Sequence, residues 1–327
     1  MSTKNSVRGN VSWNRWMGVA EKLCTNAHAR WKAMPQTPNV RYQIGDSREL
    51  LKEIRDNSID LIVTSPPYWS AKDYGIPGQI GFNQSYEDYL SDLNMVWKEC
   101  KRVLCPNGKI CVNIQPLPVS KEVTRRERSS IQNIMKDVEV FMQEIGMQLS
   151  NIFIWDKRKY NNQKIFGSYP YPPNLYSHIA FEFVHVFRKW GKTTKVPSHI
   201  KEKSKITVDE WKNWCFNSIW DIPPVIKFGN SQDKLLGHIA PFPVEIPRRL
   251  IKLFSFVNDT VLDPFLGCGT TLCACILEKR WGIGIELNPR YEPLIRIAMT
   301  NPRKFPKYEV ARIIEENVSL TEYMERR

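Results

Sequence analysis

No apolar run among the 327 residues approaches the length of a membrane span, and the N-terminus lacks the apolar core of a signal peptide. Neither a spanning helix nor a secretory leader is expected. The eight cysteines are scattered, and none forms a paired metal-ligand array. Cys273 and Cys275 lie one residue apart inside an apparent helix, which suits neither a zinc knuckle nor a redox pair. No metal is expected, and free thiols fit a reducing, cytoplasmic compartment. Acidic residues are in deficit, with 34 Asp and Glu against 47 Lys and Arg, a formal net charge of +13. That excess suits a polyanionic partner, nucleic acid before a membrane surface, although a basic proteome would also produce it. Hydrophobic residues reach 42%, enough for a sizeable core, so global disorder is excluded.

The most informative stretch is Thr64-Ser65-Pro66-Pro67-Tyr68-Trp69, which follows the apolar run Ile59-Asp60-Leu61-Ile62-Val63. The run reads as a buried parallel strand. Two prolines stop it, because each fixes φ, lacks an N–H and pushes the preceding residue toward extended geometry. A stiff turn results at the carboxyl end of a strand, where open α/β sheets place their ligands. The turn offers the Ser65 hydroxyl, backbone carbonyls and the aromatic faces of Tyr68 and Trp69. This set suits a planar ring carrying an exocyclic amine. An aryl amine is a poor nucleophile because its lone pair is delocalised into the ring. Acceptors that hold its two N–H groups in tetrahedral geometry free that pair to attack a methyl donor. The plain alternative is a strand followed by a Pro-Pro loop.

A second signal lies near the other end. Thr260-Val261-Leu262-Asp263 reads as a strand, Pro264-Phe265-Leu266-Gly267-Cys268-Gly269-Thr270-Thr271 as a turn opening a helix, and Trp281–Glu286 as a strand ending in an acid. This is a βαβ half of a nucleotide-binding fold. Glycines let backbone approach a ligand, and Glu286 is placed to accept both ribose hydroxyls of an adenosine. The third glycine of the dinucleotide fingerprint is missing, which disfavours NAD and FAD. Asp263 would repel phosphate and suits a cation, such as the ammonium of a methionine moiety. S-adenosylmethionine joins that ammonium to an adenosine and a sulfonium methyl donor.

The rest of the chain supplies a frame. Residues 1 to about 38 read as a helical extension whose Trp13, Trp16 and Trp31 are packing anchors. Arg41–Ile44 is a short strand, with Asp46 or Ser47 capping the helix after it. After the Pro-Pro turn, Ser70 to Gly75 and then a Gly-rich loop through Gly78 and Gly81 look mobile and aromatic, suited to covering a site. Ser85 caps a helix to about Leu104, with Tyr89, Leu93, Val96 and Trp97 on its core face. Asn151–Asp156 and Phe181–Phe187 read as an antiparallel pair at the sheet edge. The cluster Arg125, Arg126 and Arg128 is either a solvated loop or a phosphate contact. From Arg188 to about Gly237, Lys189, Lys192, Lys195, Lys201, Lys203, Lys205 and Lys212 interleave with Trp190, Trp211, Trp214 and Trp220, without a helix or strand period. The stretch reads as a nucleic-acid-binding insertion or as a solvated basic linker.

Taken together, the two motifs resemble the amino-group DNA methyltransferases. Thr64-Ser65-Pro66-Pro67-Tyr68 matches the family's catalytic motif, and Asp263 to Thr271 its cofactor motif. His238 to Pro247 is similar to the segment that precedes the latter. The catalytic motif comes first and the variable basic region lies between, an order similar to the circularly permuted beta group. The resemblance covers roughly residues 41 to 300. It implies an α/β, Rossmann-like fold with a seven-stranded mixed sheet, S-adenosyl-L-methionine as cofactor and double-stranded DNA as partner. It also implies a possible restriction endonuclease acting on the same site, in a prokaryotic cytoplasm.

The expected divisions are an N-terminal extension (1–40), a catalytic half (41–189), a target-recognition region (190–237), a cofactor-binding half (238–300) and a C-terminal tail (301–327). Ser65, Pro66, Pro67 and Tyr68 would act on the target base. Asp46, Asp263, Pro264, Phe265, Gly267, Gly269, Thr270, Thr271 and Glu286 would hold the cofactor, with Asp46 near the adenine edge. Lys189, Lys192, Lys195, Lys201, Lys203, Lys205, Trp211, Arg125, Arg126 and Arg128 would bind DNA. Ser in the first motif position resembles the cytosine-N4 enzymes; Asp there is more typical of adenine-N6 enzymes. The alternatives are an adenine-N6 enzyme, an RNA or protein-amide methyltransferase, and a non-catalytic DNA-binding module.

Overall fold

The computed structural model describes residues 39–303 and 305, apart from 71–72, 125–129, 161–167, 176, 178 and 226–241. In chain order the strands are β1 (Val40–Ile44), β2 (Ile59–Thr64), β3 (Leu104–Ile114), β4 (Leu117–Val119), β5 (Ser130–Gln132), β6 (Met147–Asp156), β7 (Phe181–Lys189), β8 (Ile219–Asp221), β9 (Thr260–Asp263) and β10 (Trp281–Glu286). The principal helices are α1 (Ser47–Leu50), α2 (Tyr86–Val103), α3 (Ile134–Glu144), α4 (Ser198–Lys203), α5 (Glu245–Phe254), α6 (Thr270–Leu277) and α7 (Glu292–Thr300).

Strands β9 and β10 are buried at every position, and β2 at all but Asp60. Continuous apolar strands of this kind need cover on both faces, which parallel sheets with flanking helices provide. The main sheet has eight strands in the order β1-β10-β9-β2-β3-β7-β6-β8. β1, β10, β9, β2 and β3 pair in parallel, β7 runs antiparallel between β3 and β6, and β8 is parallel to β6. The short β4 and β5 form a separate ladder.

The helix after the Gly-rich loop forms as its pattern predicts. Ser85 accepts a hydrogen bond from the Asp88 N–H at 3.0 Å, and Tyr89, Leu93, Val96 and Trp97 are fully buried. β6 and β7 form the expected antiparallel pair, but not at the sheet edge. Ile219-Trp220-Asp221 of the basic region adds an eighth strand outside β6. The seven-stranded expectation is corrected accordingly.

That strand is anchored by its aromatic residue. Trp220 is fully buried and stacks on Phe153 with ring centroids 4.6 Å apart. Its indole N–H donates to the Trp214 carbonyl at 2.9 Å. Arg248, Arg249 and Lys252 of α5 lie 5.4–5.7 Å from the Trp214 ring centre. The region therefore docks onto the core through two of its tryptophans. Its elements run three to six residues, too short for a period to emerge from the pattern. Trp220→Ala should cost about 3–5 kcal/mol, the usual range for emptying a buried aromatic site. A urea melt of the variant checks this.

Candidate active site

Strands β2 and β9 are neighbours and run the same way, with Leu61 opposite Val261 and Ile62 opposite Leu262. From this pair the chain leads outward in both directions, β9 to β10 and β2 to β3. This is the switch point of a doubly wound sheet, where a crevice opens beyond the carboxyl ends. The two motif turns, far apart in sequence, lie side by side there and line one cleft.

The turns are joined by a buried hydrogen-bond knot. Thr64 Oγ1 donates to Asp263 Oδ1 at 2.7 Å, and Thr271 Oγ1 donates to Oδ2 at 2.6 Å. The Phe265 N–H also donates to Oδ1, at 3.0 Å. Asp263 is 1% exposed, and burial pushes its carboxyl up to about 6 despite these donors. Both oxygens are engaged and the residue does not line the cleft. Asp263 is thus an internal strut, not the open partner for a ligand ammonium that its place in the motif suggests.

Glu286 does reach the cleft. Its Oε2 accepts from the Gly267 N–H at 2.7 Å and its Oε1 from the Asn288 N–H at 2.8 Å. Burial pushes its carboxyl up to about 7. Each oxygen keeps a further lone pair for a hydroxyl donor. Gly267 has φ +56°, and a Cβ there would point into open space, so the backbone is bare toward a ligand. Gly269 differs: at φ +91° its Cβ would come within 3.1 Å of Ile295 and Ala298 on α7. It is a packing glycine. Thr271 likewise serves Asp263, whereas Pro264, Phe265 and Thr270 line the cleft.

Asp46 lines the cleft as well as capping α1. It accepts from the Arg48 N–H at 2.8 Å and pairs with the Arg48 guanidinium at 2.6 Å. Arg48 also meets Asp92 at 2.7 Å and donates to the Gly78 carbonyl at 2.9 Å. Asn288 Nδ2 donates to the Tyr74 carbonyl at 3.0 Å. The Gly-rich loop is therefore tied across the cleft at two points, with Tyr74 among the lining residues. Burial and the Glu286 charge raise the Tyr74 hydroxyl above its ordinary range.

Ser65, Pro66, Pro67 and Tyr68 all line the same cleft. The Tyr89 hydroxyl donates to the Pro67 carbonyl at 2.9 Å and fixes the turn. Trp69 is 5% exposed and donates to the Gln84 carbonyl at 3.0 Å, so it packs inside instead of offering a face to a ligand. Tyr74, Asn288 and Tyr291 line the cleft without having been singled out from sequence, and Phe242, within the segment noted before the cofactor motif, lines it too. Asn288 had a readable signal, as the cap of the turn Pro289–Tyr291 just past Glu286.

The basic residues divide. The Lys189 ammonium donates to Asn57 Oδ1 and to the carbonyls of Lys101 and Leu104, at 2.6–2.9 Å. It closes the end of α2 and is not a free phosphate contact, which corrects the expectation for this residue. Lys192, Lys195, Lys201 and Lys203 are exposed, and Lys205 pairs with Glu202 at the surface. Trp211 is 48% exposed, its ring 5.7 Å from that of Phe216. Arg125, Arg126 and Arg128 lie outside the described residues, as do residues 1–38, nearly all of 304–327, and His238 of the segment before the cofactor motif. Among the described residues there is no helix long and apolar enough to cross a membrane, and no metal-ligand cluster.

A mixed sheet with a glycine turn, a cleft-lining acid and a Pro-Pro-Tyr turn at its switch point fits a Rossmann-like, S-adenosylmethionine-dependent methyltransferase. The family model for DNA methylases of the N6/N4 type matches residues 59–297, and the chain belongs to that family. Type II methyltransferase M.MjaI of Methanocaldococcus jannaschii is 34% identical over 287 residues, covering 79% of this chain and 90% of the relative. M.MthZI of Methanothermobacter thermautotrophicus is 30% identical over 289 residues, covering 82% and 79%. Among solved structures, a candidate DNA modification methylase from Thermus thermophilus, complexed with S-adenosyl-L-methionine, has a TM-score of 0.64 at 31% identity. The match spans 83% of this chain and 99% of that one. The PvuII cytosine-N4-specific methyltransferase shares the fold, with a TM-score of 0.54 at 22% identity over 86% and 95% of the two chains. The methyl donor is S-adenosylmethionine.

Thr271→Val tests the knot. The buried carboxylate loses one of its donors, so stability at neutral pH should fall by about 1–3 kcal/mol. The raised pKa of Asp263 means that stability present at low pH is lost as pH rises toward about 6. Losing a donor raises that pKa further, so the deficit of the variant should shrink in acid. Denaturant melts at pH 5 and pH 8 read both effects.

Proposed function

We propose that this protein methylates the exocyclic N4 amine of a cytosine flipped out of duplex DNA, as the modification part of a restriction–modification system with a partner endonuclease of the same specificity. The observation that carries the reading is the placement of Ser65-Pro66-Pro67-Tyr68 and the Gly267–Glu286 cradle in one cleft. Cytosine is preferred to adenine because Ser65 in the first motif position resembles the cytosine-N4 enzymes, whereas Asp there is more typical of adenine-N6 enzymes. S-adenosylmethionine supplies, when bound, an electrophilic methyl on a sulfonium.

Flipping is needed because N4 of a stacked, paired cytosine is out of reach of a donor held inside the protein. The Ser65 hydroxyl and the Pro66 carbonyl accept from the amine and concentrate its lone pair on nitrogen. Tyr68 stacks on the ring. Glu286 receives the ribose hydroxyls, and the bare backbone at Gly267 admits the rest of the nucleoside. Positioning of two reactants carries much of the rate in such an in-line transfer. The exposed Lys192, Lys195, Lys201 and Lys203 contact phosphates, which makes binding salt-dependent. Trp211 extends that surface.

Labelled methyl transfer to unmethylated duplex DNA, followed by nucleoside mass spectrometry, should give N4-methylcytosine. N6-methyladenine would refute the assignment of the base. Ser65→Ala should slow single-turnover transfer by about 100-fold or more while leaving cofactor affinity nearly intact. Glu286 accepts ribose donors best when ionised, and burial has pushed its carboxyl up to about 7. Cofactor affinity should therefore fall about tenfold per pH unit below that value and level off above it. Glu286→Gln should bind weakly and without this slope, as calorimetry at pH 6 and pH 8 would record.

A further inference from the structure

Methylating an aryl amine leaves a surplus proton, and neither motif offers an open base to take it, since Asp263 has both oxygens engaged and does not line the cleft. The chain of contacts behind the Pro-Pro turn does. Ser65 and Tyr68 line the same cleft three residues apart, and the Tyr68 pKa, raised mainly by burial, is pulled back in part by the Ser65 side chain acting as a donor toward it. The Tyr68 hydroxyl in turn donates to Glu182 Oε2 at 3.2 Å. Glu182 sits on β7, is 8% exposed and does not line the cleft. Asn113 Nδ2 of β3 donates to the same oxygen at 2.6 Å, and the Lys157 ammonium donates to Oε1. The Lys157 ammonium also lies 5.0 Å from the centre of the Trp155 ring. Every one of these contacts is made by a donor, as an acceptor-only carboxylate requires. A buried ion pair is rarely a gain in stability over an apolar pair of similar volume. Its position at the end of a hydroxyl chain leading to the cleft gives it another use.

We propose that Glu182 is the terminal acceptor of the proton lost by the target amine, reached through Ser65 and Tyr68. This rests on the amine-methylation reading above. As the N–C bond forms and the S–C bond breaks, the sulfonium becomes a neutral thioether and the amine nitrogen takes the positive charge. One N–H proton of that nitrogen passes to Ser65 Oγ, the Ser65 proton to Tyr68 Oη, and the Tyr68 proton to the Glu182 carboxylate. Both hydroxyls end neutral and the carboxylate becomes a carboxylic acid. The acid returns its proton to solvent after product leaves. Tyr68 is suited to relaying: burial, then the Glu182 charge, hold its pKa well above the ordinary value, so it does not rest as a phenolate. A carboxylate is base enough, because a methylated aryl ammonium is a strong acid. Glu182 acts through two other side chains and never meets the base itself.

The test measures single-turnover methyl transfer to unmethylated duplex DNA, with cofactor and DNA affinities determined separately. Glu182→Gln keeps a hydrogen-bond acceptor for Tyr68 and removes the proton acceptor. Tyr68→Phe keeps the ring and breaks the relay. Each should slow transfer by about 100-fold, with both affinities within about twofold of wild type. The double variant should be no slower than the slower single one, since both remove the same path. Glu182→Asp should recover part of the rate. Glu182→Gln leaves the Lys157 ammonium without its partner, so Lys157→Met combined with Glu182→Gln removes the charge pair together. It should be equally slow. A wild-type rate in either Gln variant would overturn the proposal, as would losses that multiply in the double variant. If the unmodified protein labels no DNA amine, the methylation reading has failed and this proposal falls with it. If it labels DNA and the Gln variants match it, the relay alone is wrong.

Discussion

A buried hydrogen bond between the ends of two paired strands ties the two motif turns of this molecule together. Thr64 ends the strand before the Pro-Pro turn, Asp263 ends the strand before the glycine turn, and their side chains meet at 2.7 Å in the interior. The two residues are 199 positions apart. Closing so long a loop costs conformational entropy, which the parallel pairing of β2 with β9 and the packing around it must offset. Thr271 completes the knot from the first turn of α6. The Pro-Pro turn and the glycine turn are then fixed at one spacing, which suits the in-line transfer proposed above.

The two motif acids illustrate how one residue type takes on different work through its surroundings. Both are buried, and both have carboxyls pushed up in pKa by that burial. Asp263 has its oxygens filled by side-chain hydroxyls and a backbone N–H, and it faces inward. Glu286 accepts only backbone N–H groups and keeps an open side toward the cleft. The first binds the protein to itself, and the second faces the cleft. Donors partly offset the desolvation of each charge, and without them either carboxylate would be costly to bury.

The basic region is less separate from the core than its composition suggests. Trp214 and Trp220 pack inside, three cations of α5 lie against them, and Ile219–Asp221 extends the main sheet. What remains outward is a set of lysines and the Trp211–Phe216 pair. A rigid base with charged side chains on it suits contact with a polyanion, because the surface is positioned by the same sheet that positions the cleft. Lys189 belongs to the base: its three oxygen partners tie β7 to the end of α2.

The parallel strands, the two turns and the α2 cap were legible in the sequence because each is a local matter. Apolar runs dictate buried strands, prolines and glycines dictate turns, and a serine at the start of an amphipathic run dictates a cap. The order of the motifs and the residues within them carried the family resemblance. Three features were decided only by the tertiary structure. The eighth strand depends on Trp220 finding Phe153, a contact between segments that neither segment encodes alone. The division of Asp263 from Glu286 depends on which donors the neighbouring strand brings, and nothing in a strand-ending acid reveals that. Glu182 lies inside an alternating strand pattern, where a single acid reads as a solvent-facing position. Its burial beside Asn113, Lys157 and Tyr68 follows from three other elements folding over it, and long-range packing of that kind leaves no periodic trace in the chain.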